Sequence, residues 1–352
     1  MKTDFLVIGQ GLAGTCLTVC LRRAGKSVLV VDADPEVSSS KIAAGFLHPI
    51  TGRRIVKTWM AEKLFPFADA FYSSIEKESG MKFFHAMDSL EMVADIKSLN
   101  DWNERSADPG FRGFIEGEAN PQDYPGLRPC LRLFRVKQGG WLDIPAFLKH
   151  HQEKWEKEGV RRSIEIDSHL LSEPESLKQS LGIEADRIIY CEGHRARFNR
   201  LWSRLPFDPA KGEILTVEIA GLPEESIIVN GLFIIPIGNG KFRAGSTYSW
   251  HELDELPTAV AAEELSEKLS RTINVPFKVI SHQAGIRPAV KGRRPLIGKH
   301  PEKTDCWIFN GLGSKGGSLA PWFANHLTRH LVDGEPLAEE ADISRFLERP
   351  ER

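Results

Sequence analysis

Gly9-Gln10-Gly11-Leu12-Ala13-Gly14 decides how this chain folds, because of what stands on either side of it. Phe5–Ile8 is a short apolar run that stops at Gly9, and a helical pattern follows from Leu12 to Ala24 with Gly25 as its stop. A second apolar run, Val28–Val31, ends at Asp32. Strand, glycine turn, helix and strand in that order predict a βαβ unit on a parallel sheet. Each glycine has its own task there: a tight turn, close approach of backbone to a diphosphate, and close packing of helix on sheet. The exposed N–H groups and the dipole of the helix favour the phosphate charge. Asp32, 18 residues beyond Gly14, stands where a carboxylate accepts a ribose hydroxyl. The fingerprint suits NAD and FAD alike.

Outward from this unit the texture alternates. A helix is expected over Met60–Lys77, with Leu64, Phe67, Phe71 and Ile75 on its apolar face. Short strands at Leu90–Ala94 and Leu131–Val136 then bracket a polar segment, Lys97–Asp108. Pro145–Glu158 reads as helix, and Arg187–Cys191 as a strand ending at Gly193. From Glu213 to Ser246 strand follows strand, with Gly238-Asn239-Gly240 as a hairpin signal. A helix over Ala259–Thr272 precedes a further strand, and the chain closes with strand Trp307–Asn310, Gly311–Gly317 and a helix from Ser318 to about Val332. The β-rich stretches twice interrupt the α/β texture. The expectation is a Rossmann-like α/β nucleotide domain from residues 1–80, 139–210 and 282–352, interleaved with a mostly antiparallel β substrate domain from 81–138 and 211–281.

Composition narrows the function. At about 150 residues per domain, 352 residues suggest two domains. With 41% apolar residues the chain has ample material for a core, which excludes a mostly disordered protein. A net charge of -2 gives no basic field for nucleic acid. Five cysteines without a C-x-x-C pair fit a reducing compartment, and Cys16 and Cys20 have no further ligand to complete a metal site. The apolar run at the N-terminus is too short for a secretory signal, and no stretch reaches the roughly 18 apolar residues of a membrane span. A soluble, cytoplasmic protein without a membrane span is expected.

Four further segments carry a resemblance. Ser38–Pro49 (SSSKIAAGFLHP), Gly139–Pro145 (GGWLDIP), Ala284–Pro288 (AGIRP) with Arg294–Gly298 (RPLIG), and Gly311–Gly316 (GLGSKG) with Leu319-Ala320-Pro321 occur in the order found in the D-amino acid oxidase/glycine oxidase superfamily. In sequence and spacing the chain resembles these FAD-dependent oxidoreductases over nearly its whole length. The resemblance implies FAD, held noncovalently, as cofactor. It implies cofactor contacts at Gly9, Gly11, Leu12, Ala13, Gly14 and Asp32, at Ser40, Lys41, Ala44 and Gly45 beside the flavin ring, at Gly193, and at Gly311, Gly313, Ser314, Lys315 and Gly316 in the closing turn. Arg287 falls where the family binds a substrate carboxylate, a role suited to a bidentate guanidinium. Tyr248, with Trp250, falls in a region that lines the pocket, and His48 falls near the flavin face.

The implied reaction is oxidation of a small amino acid or secondary amine, by hydride transfer to flavin N5 and hydrolysis of the imine. Such chemistry needs positioning and stabilised negative charge on reduced flavin, and neither a metal nor paired carboxylates. Ala44–Pro49 followed by Arg53, Arg54 and Lys57 is also similar to the FAD domain of the bifunctional enzymes that finish wobble-uridine modification in bacterial tRNA. Two alternatives therefore stand beside the amine oxidase: a tRNA-modifying flavoenzyme acting on a carboxymethylaminomethyl uridine, and a catalytically silent flavoprotein subunit. Surface arginines in three basic clusters (Arg53/Arg54/Lys57, His194/Arg195/Arg197/Arg200 and Lys291/Arg293/Arg294) are expected to be solvated side chains, with no nucleic-acid partner.

Overall fold

The computed structural model describes residues 1–52 and 54–347, and Arg53 of the first basic cluster lies outside them. The chain divides into two compact units. The first combines residues 1–43, 144–210 and those from Ile286 onward, and the second combines 44–143 with 211–285.

The first unit is built on a six-stranded sheet in the order Arg161–Ser163, Val28–Asp32, Lys2–Ile8, Glu184–Tyr190, Cys306–Asn310, Leu296–Lys299. The pairs are parallel until the last strand, which runs antiparallel to Cys306–Asn310. Near-continuous apolar sequence such as Phe5-Leu6-Val7-Ile8 is what a parallel sheet covered on both faces requires. One face packs on Leu177, Trp202, Leu205 and Ile343. Helices Leu12–Arg23 and Gly316–Asp333 pack on each other and bury Leu17, Leu21, Phe323 and Leu327.

The second unit holds an eight-stranded sheet in the order Phe277–Arg287, Ala210–Ile219, Lys241–Gly245, Phe233–Gly238, Ile227–Val229, Ser89–Val93, Arg132–Val136, Ile115–Ala119. From Ala210–Ile219 to Ile115–Ala119 the neighbours are antiparallel, except for the parallel contact of Ile227–Val229 with Ser89–Val93. The hairpin after Phe233–Gly238 turns through Asn239 and Gly240, both at positive φ (57° and 69°), as a two-residue primed turn needs. Leu265 and Leu269 of helix Ala259–Thr272 cover one face together with Leu90, Leu215, Phe242 and Ala244. On the other face Ala44 and Trp141 join Ile227 and Ile235. Trp141 belongs to a three-stranded sheet in which Gly140–Leu142 lies between Phe46–Leu47 and Phe84–Ala86.

These pairings move the junctions from where the sequence suggests them. Residues 44–80, 139–143 and 282–285, expected with the nucleotide pieces, lie in the second unit. Strand Gly140–Leu142 draws in Phe46–Leu47 by backbone pairing, and helix Ala61–Ser79 packs on Phe84–Ala86. That helix is close to expectation, but its buried face is Leu64, Phe65, Ala68, Phe71, Tyr72 and Ile75, with Phe67 half-buried. The polar segment is mostly helix, Ile96–Ala107, capped by the Asp95 side chain, which accepts from the Ser98 backbone N–H at 2.9 Å. Only Trp102 of it is buried, so no apolar period marks it.

Candidate cofactor and substrate site

Gly9 leaves the first strand at φ 101°, and a Cβ there would stand 2.5 Å from the Cys191 carbonyl oxygen. A Cβ on Gly14 would stand 1.9 Å from the Gly9 oxygen. Both glycines are thus demanded by backbone packing. Gly11 differs: it is the N-cap of helix Leu12–Arg23, and a Cβ would meet only the Ser40 hydroxyl, at 3.2 Å. That helix has no cap from its own N-cap residue and no acid in its first turn, so the N–H groups of Ala13 and Gly14 begin it without intrahelical acceptors, an arrangement suited to an anion. Ser40 Oγ accepts from Leu12 N–H at 3.1 Å and keeps its own proton to donate. Lys41, beside it, is exposed and bonds to the Pro35 carbonyl.

Asp32 ends the second strand and accepts from the backbone N–H groups of Gln10 (2.5 Å) and Asp34 (2.7 Å), one on each carboxylate oxygen. A carboxylate has about four acceptor sites, so two backbone bonds leave room for a ribose diol. Sequence reading missed Arg161. Its side chain is fully buried and bonds to the Gln10 amide oxygen, Asp34 and Glu156, which holds the glycine turn and the end of the second strand together. An isolated arginine opening a short strand carries no sequence signal for that task.

The closing turn lies beside the opening one. A Cβ on Gly316 would stand 3.2 Å from Leu12 Cδ2, so the two helix N-termini adjoin. Gly311 (φ 75°) and Gly313 (φ 55°) bend the chain, Ser314 is exposed, and Lys315 caps helix Gly316–Asp333, which again has no side-chain cap and no acid in its first turn. Buried Asn310, another residue the sequence did not single out, donates to the Gly193 carbonyl and accepts from Gly311 N–H, both at 2.8 Å. Lys315 is half-buried. Burial, then the charges of Arg293 and Arg294, pull its ammonium down to about 8. Two residues of the third basic cluster therefore concentrate positive potential at this turn.

Arg287 is the last residue of its strand and half-buried. The next carbonyl, of Pro288, accepts from Gly313 N–H at 3.1 Å, so Arg287 is tethered one residue from the closing turn.

The remaining expected residues belong to the second unit. Gly45 has φ 74°, and a Cβ would fall 1.9 Å from the Leu142 carbonyl oxygen, so it and Ala44 are set by strand Gly140–Leu142. His48 is buried and stacked on Phe46 (centroids 4.8 Å, 12°). Its Nε2 lies 2.7 Å from Glu91 Oε1, and its Nδ1 3.1 Å from Ser89 Oγ. Both ring nitrogens are committed, which makes His48 an anchor of its loop and not a base open to a reactant. Tyr248 and Trp250 are exposed, at 51% and 56%, with ring centroids 5.9 Å apart. Cys16 and Cys20 are buried in the first helix, and burial raises the Cys20 thiol to about 12, as packing requires.

Adjoining helix N-termini, backbone-packed glycines and an aspartate with acceptor sites to spare at the end of the second strand fit an adenine dinucleotide; the comparisons identify it. The family model for FAD-dependent oxidoreductases (DAO) matches residues 4–330. The D-amino-acid oxidase of Rubrobacter xylanophilus is 26% identical over 332 residues, covering 90% of this chain and 91% of that protein. The tRNA 5-methylaminomethyl-2-thiouridine biosynthesis bifunctional protein of Idiomarina loihiensis is 21% identical over 98% of this chain, which spans only 59% of that relative. Among solved structures, glycine oxidase from Geobacillus kaustophilus superposes with a TM-score of 0.78 at 16% identity, over 98% of each chain. Iminodiacetate oxidase from Chelativorans gives 0.76 at 20% identity, over 95% of this chain and 96% of that one. No helix among the described residues is long and apolar enough to cross a membrane. The chain belongs to the DAO family of FAD-dependent oxidoreductases, and FAD is its cofactor.

Proposed function

We propose that this chain oxidises a small amino acid or secondary amine that carries a carboxylate, and that Arg287 binds that carboxylate. The observation that supports the reading is the backbone tether from Gly313 N–H to the Pro288 carbonyl, which keeps half-buried Arg287 one residue from a bond to the second glycine turn. A planar anion engages such a group through two parallel hydrogen bonds. FAD would supply the acceptor for the hydride, which carries the electron pair from the carbon bearing nitrogen, while the nitrogen gives up a proton; water would then hydrolyse the imine. The chain's own part is positioning and charge. The uncapped N-terminus of helix Gly316–Asp333 and Lys315 give a positive field where negative charge accumulates on reduction. Lys315 holds a proton below about pH 8.

The test is an anaerobic screen of amino acids and N-methyl or N-carboxymethyl amines for bleaching of the flavin. Arg287→Ala is expected to raise KM for an accepted carboxylate substrate by about 10- to 100-fold, the loss of one charge-assisted contact. An unchanged KM would remove Arg287 from the site. Similarity to the tRNA-modifying relative over nearly the whole chain supports a second reading, in which the amine is the carboxymethylaminomethyl group of a wobble uridine. Bleaching by carboxymethylaminomethyluridine, together with a salt-dependent gel shift of tRNA, would favour it.

A further inference from the structure

The edge strand of a sheet exposes a row of unpaired backbone N–H and C=O groups, and folded chains blunt such edges. Among the described residues, every sheet edge but one is blunted. In the six-stranded sheet Arg161–Ser163 is only three residues long. Its other edge, Leu296–Lys299, is covered by later chain: Ile297 N–H donates to the Ala341 carbonyl (2.9 Å), and Ile343 N–H donates to the Ile297 carbonyl (3.0 Å). The edges of the two smaller sheets are two or three residues long. In the eight-stranded sheet the edge Ile115–Ala119 carries Glu116 and Glu118, and its register slips around Gly117, at φ 75°.

The opposite edge of that sheet has none of these devices. Phe277–Arg287 is 11 residues long, and its first half, Phe277-Lys278-Val279-Ile280-Ser281-His282, holds one lysine and no acid. Val279 and Ile280 point to opposite faces, yet both are exposed, at 44% and 45%. A long edge with bare aliphatic side chains on both faces is a template for one more strand. Backbone pairing alone is a narrow contact, whereas specific interfaces bury about 800 Å² on each partner. Further apolar surface lies beside the strand. Glu213 accepts from the backbone N–H (2.8 Å) and the hydroxyl (3.0 Å) of Thr258, and His282 Nε2 lies 2.9 Å from the same carboxylate. Thr258 is the N-cap of helix Ala259–Thr272, so exposed Leu256 and Val260 stand at the His282 end of the edge.

Charge selects the occupant. Residues 252–264 hold Glu252, Asp254, Glu255, Glu263 and Glu264 and no lysine or arginine, which makes the His282 end acidic, while Lys278 stands at the other end. Two copies laid antiparallel about a twofold axis near Ile280 bring each Lys278 to the acidic end of the other copy. The same arrangement sets Ile280 against the partner's Ile280 and Val279 against the partner's Ser281. Parallel pairing in register would instead set lysine beside lysine. We propose that this edge docks a second copy of the chain, so that two eight-stranded sheets join across a twofold axis. Such a contact is isologous, and every interaction in it occurs twice.

Analytical ultracentrifugation of the FAD-loaded protein over a concentration series tests this. The wild type is expected to show twice the mass of one chain at micromolar concentration. Ile280→Lys sets like charges across the axis, and a tenfold loss at each of the two contacts raises the dissociation constant about 100-fold. Lys278→Glu and the double variant Glu263→Lys/Glu264→Lys should each be monomeric at the wild-type dimer concentration, because each opposes like charges. Mixed in equal amounts, these two variants should recover the dimer, since both contacts of the mixed pair then join opposite charges. Unchanged flavin content shows that a variant is folded. A wild type that stays monomeric throughout the series would overturn the proposal and leave the edge to an extended segment of a different protein. A dimer indifferent to Ile280→Lys, or a charge-swapped mixture that stays monomeric, would overturn it too.

Discussion

A Cβ on Gly11 meets only a hydroxyl, while one on Gly14 meets a backbone carbonyl at 1.9 Å. Their valine variants should therefore fail differently. Gly11→Val is expected to give folded, colourless protein, because the side chain stands over the helix N-terminus where a diphosphate approaches. Gly14→Val should lose the fold, since a backbone oxygen cannot move aside. Circular dichroism and flavin absorbance on the two variants separate these outcomes, and full flavin occupancy in Gly11→Val would argue against that cradle. Lys315 gives a pH signature. Its ammonium is pulled from 10.5 to about 8 in the folded protein, so between those values the unfolded chain binds the proton that the folded chain has shed. Stability from this residue therefore rises with pH across that window. Affinity for FAD should move the other way, falling as pH rises through about 8, and Lys315→Met should flatten that profile in a flavin titration. At this scale Gly9 and Gly14 were legible, because a glycine pattern after a strand marks positions where neighbouring backbone admits no Cβ. Arg161 was not: an isolated arginine opening a short strand carries no local pattern, and only the parallel pairing of Arg161–Ser163 with Val28–Asp32 brings it beside Asp34.

Among elements, the strand–turn–helix units and the helix Ala259–Thr272 stood where their periodicity and glycines put them. Helix Ile96–Ala107 was invisible for a physical reason: with one buried side chain it has no apolar stripe, and its start is set by a cap. Asp95 accepts from both the backbone N–H and the hydroxyl of Ser98. Asp95→Ala should cost about 1 kcal/mol in urea unfolding, the usual value of such a cap. Leu265→Ala, at a fully buried position under the large sheet, should cost about 2–5 kcal/mol. A cap loss as large as the core loss would mean that Ile96–Ala107 carries more of the second unit than its single buried tryptophan suggests.

For the whole molecule, interleaving was legible from the twofold return of α/β texture, but its junctions were not, because backbone pairing of Phe46–Leu47 with Gly140–Leu142 decides them. The adjoining of Leu12 and Gly316 has a temporal consequence. The two glycine turns are about 300 residues apart in the order of synthesis. A ribosome adding 5–20 residues per second leaves roughly 15–60 s between them. For the first part of that interval the first strand lacks the neighbour it later gains in Glu184–Tyr190, and throughout it the closing turn has not been made. Nascent chains stalled before Cys306 should emerge without bound flavin, and those released past the closing helix should capture it; a stalled chain that is already yellow would mean that the early turn holds the dinucleotide unaided.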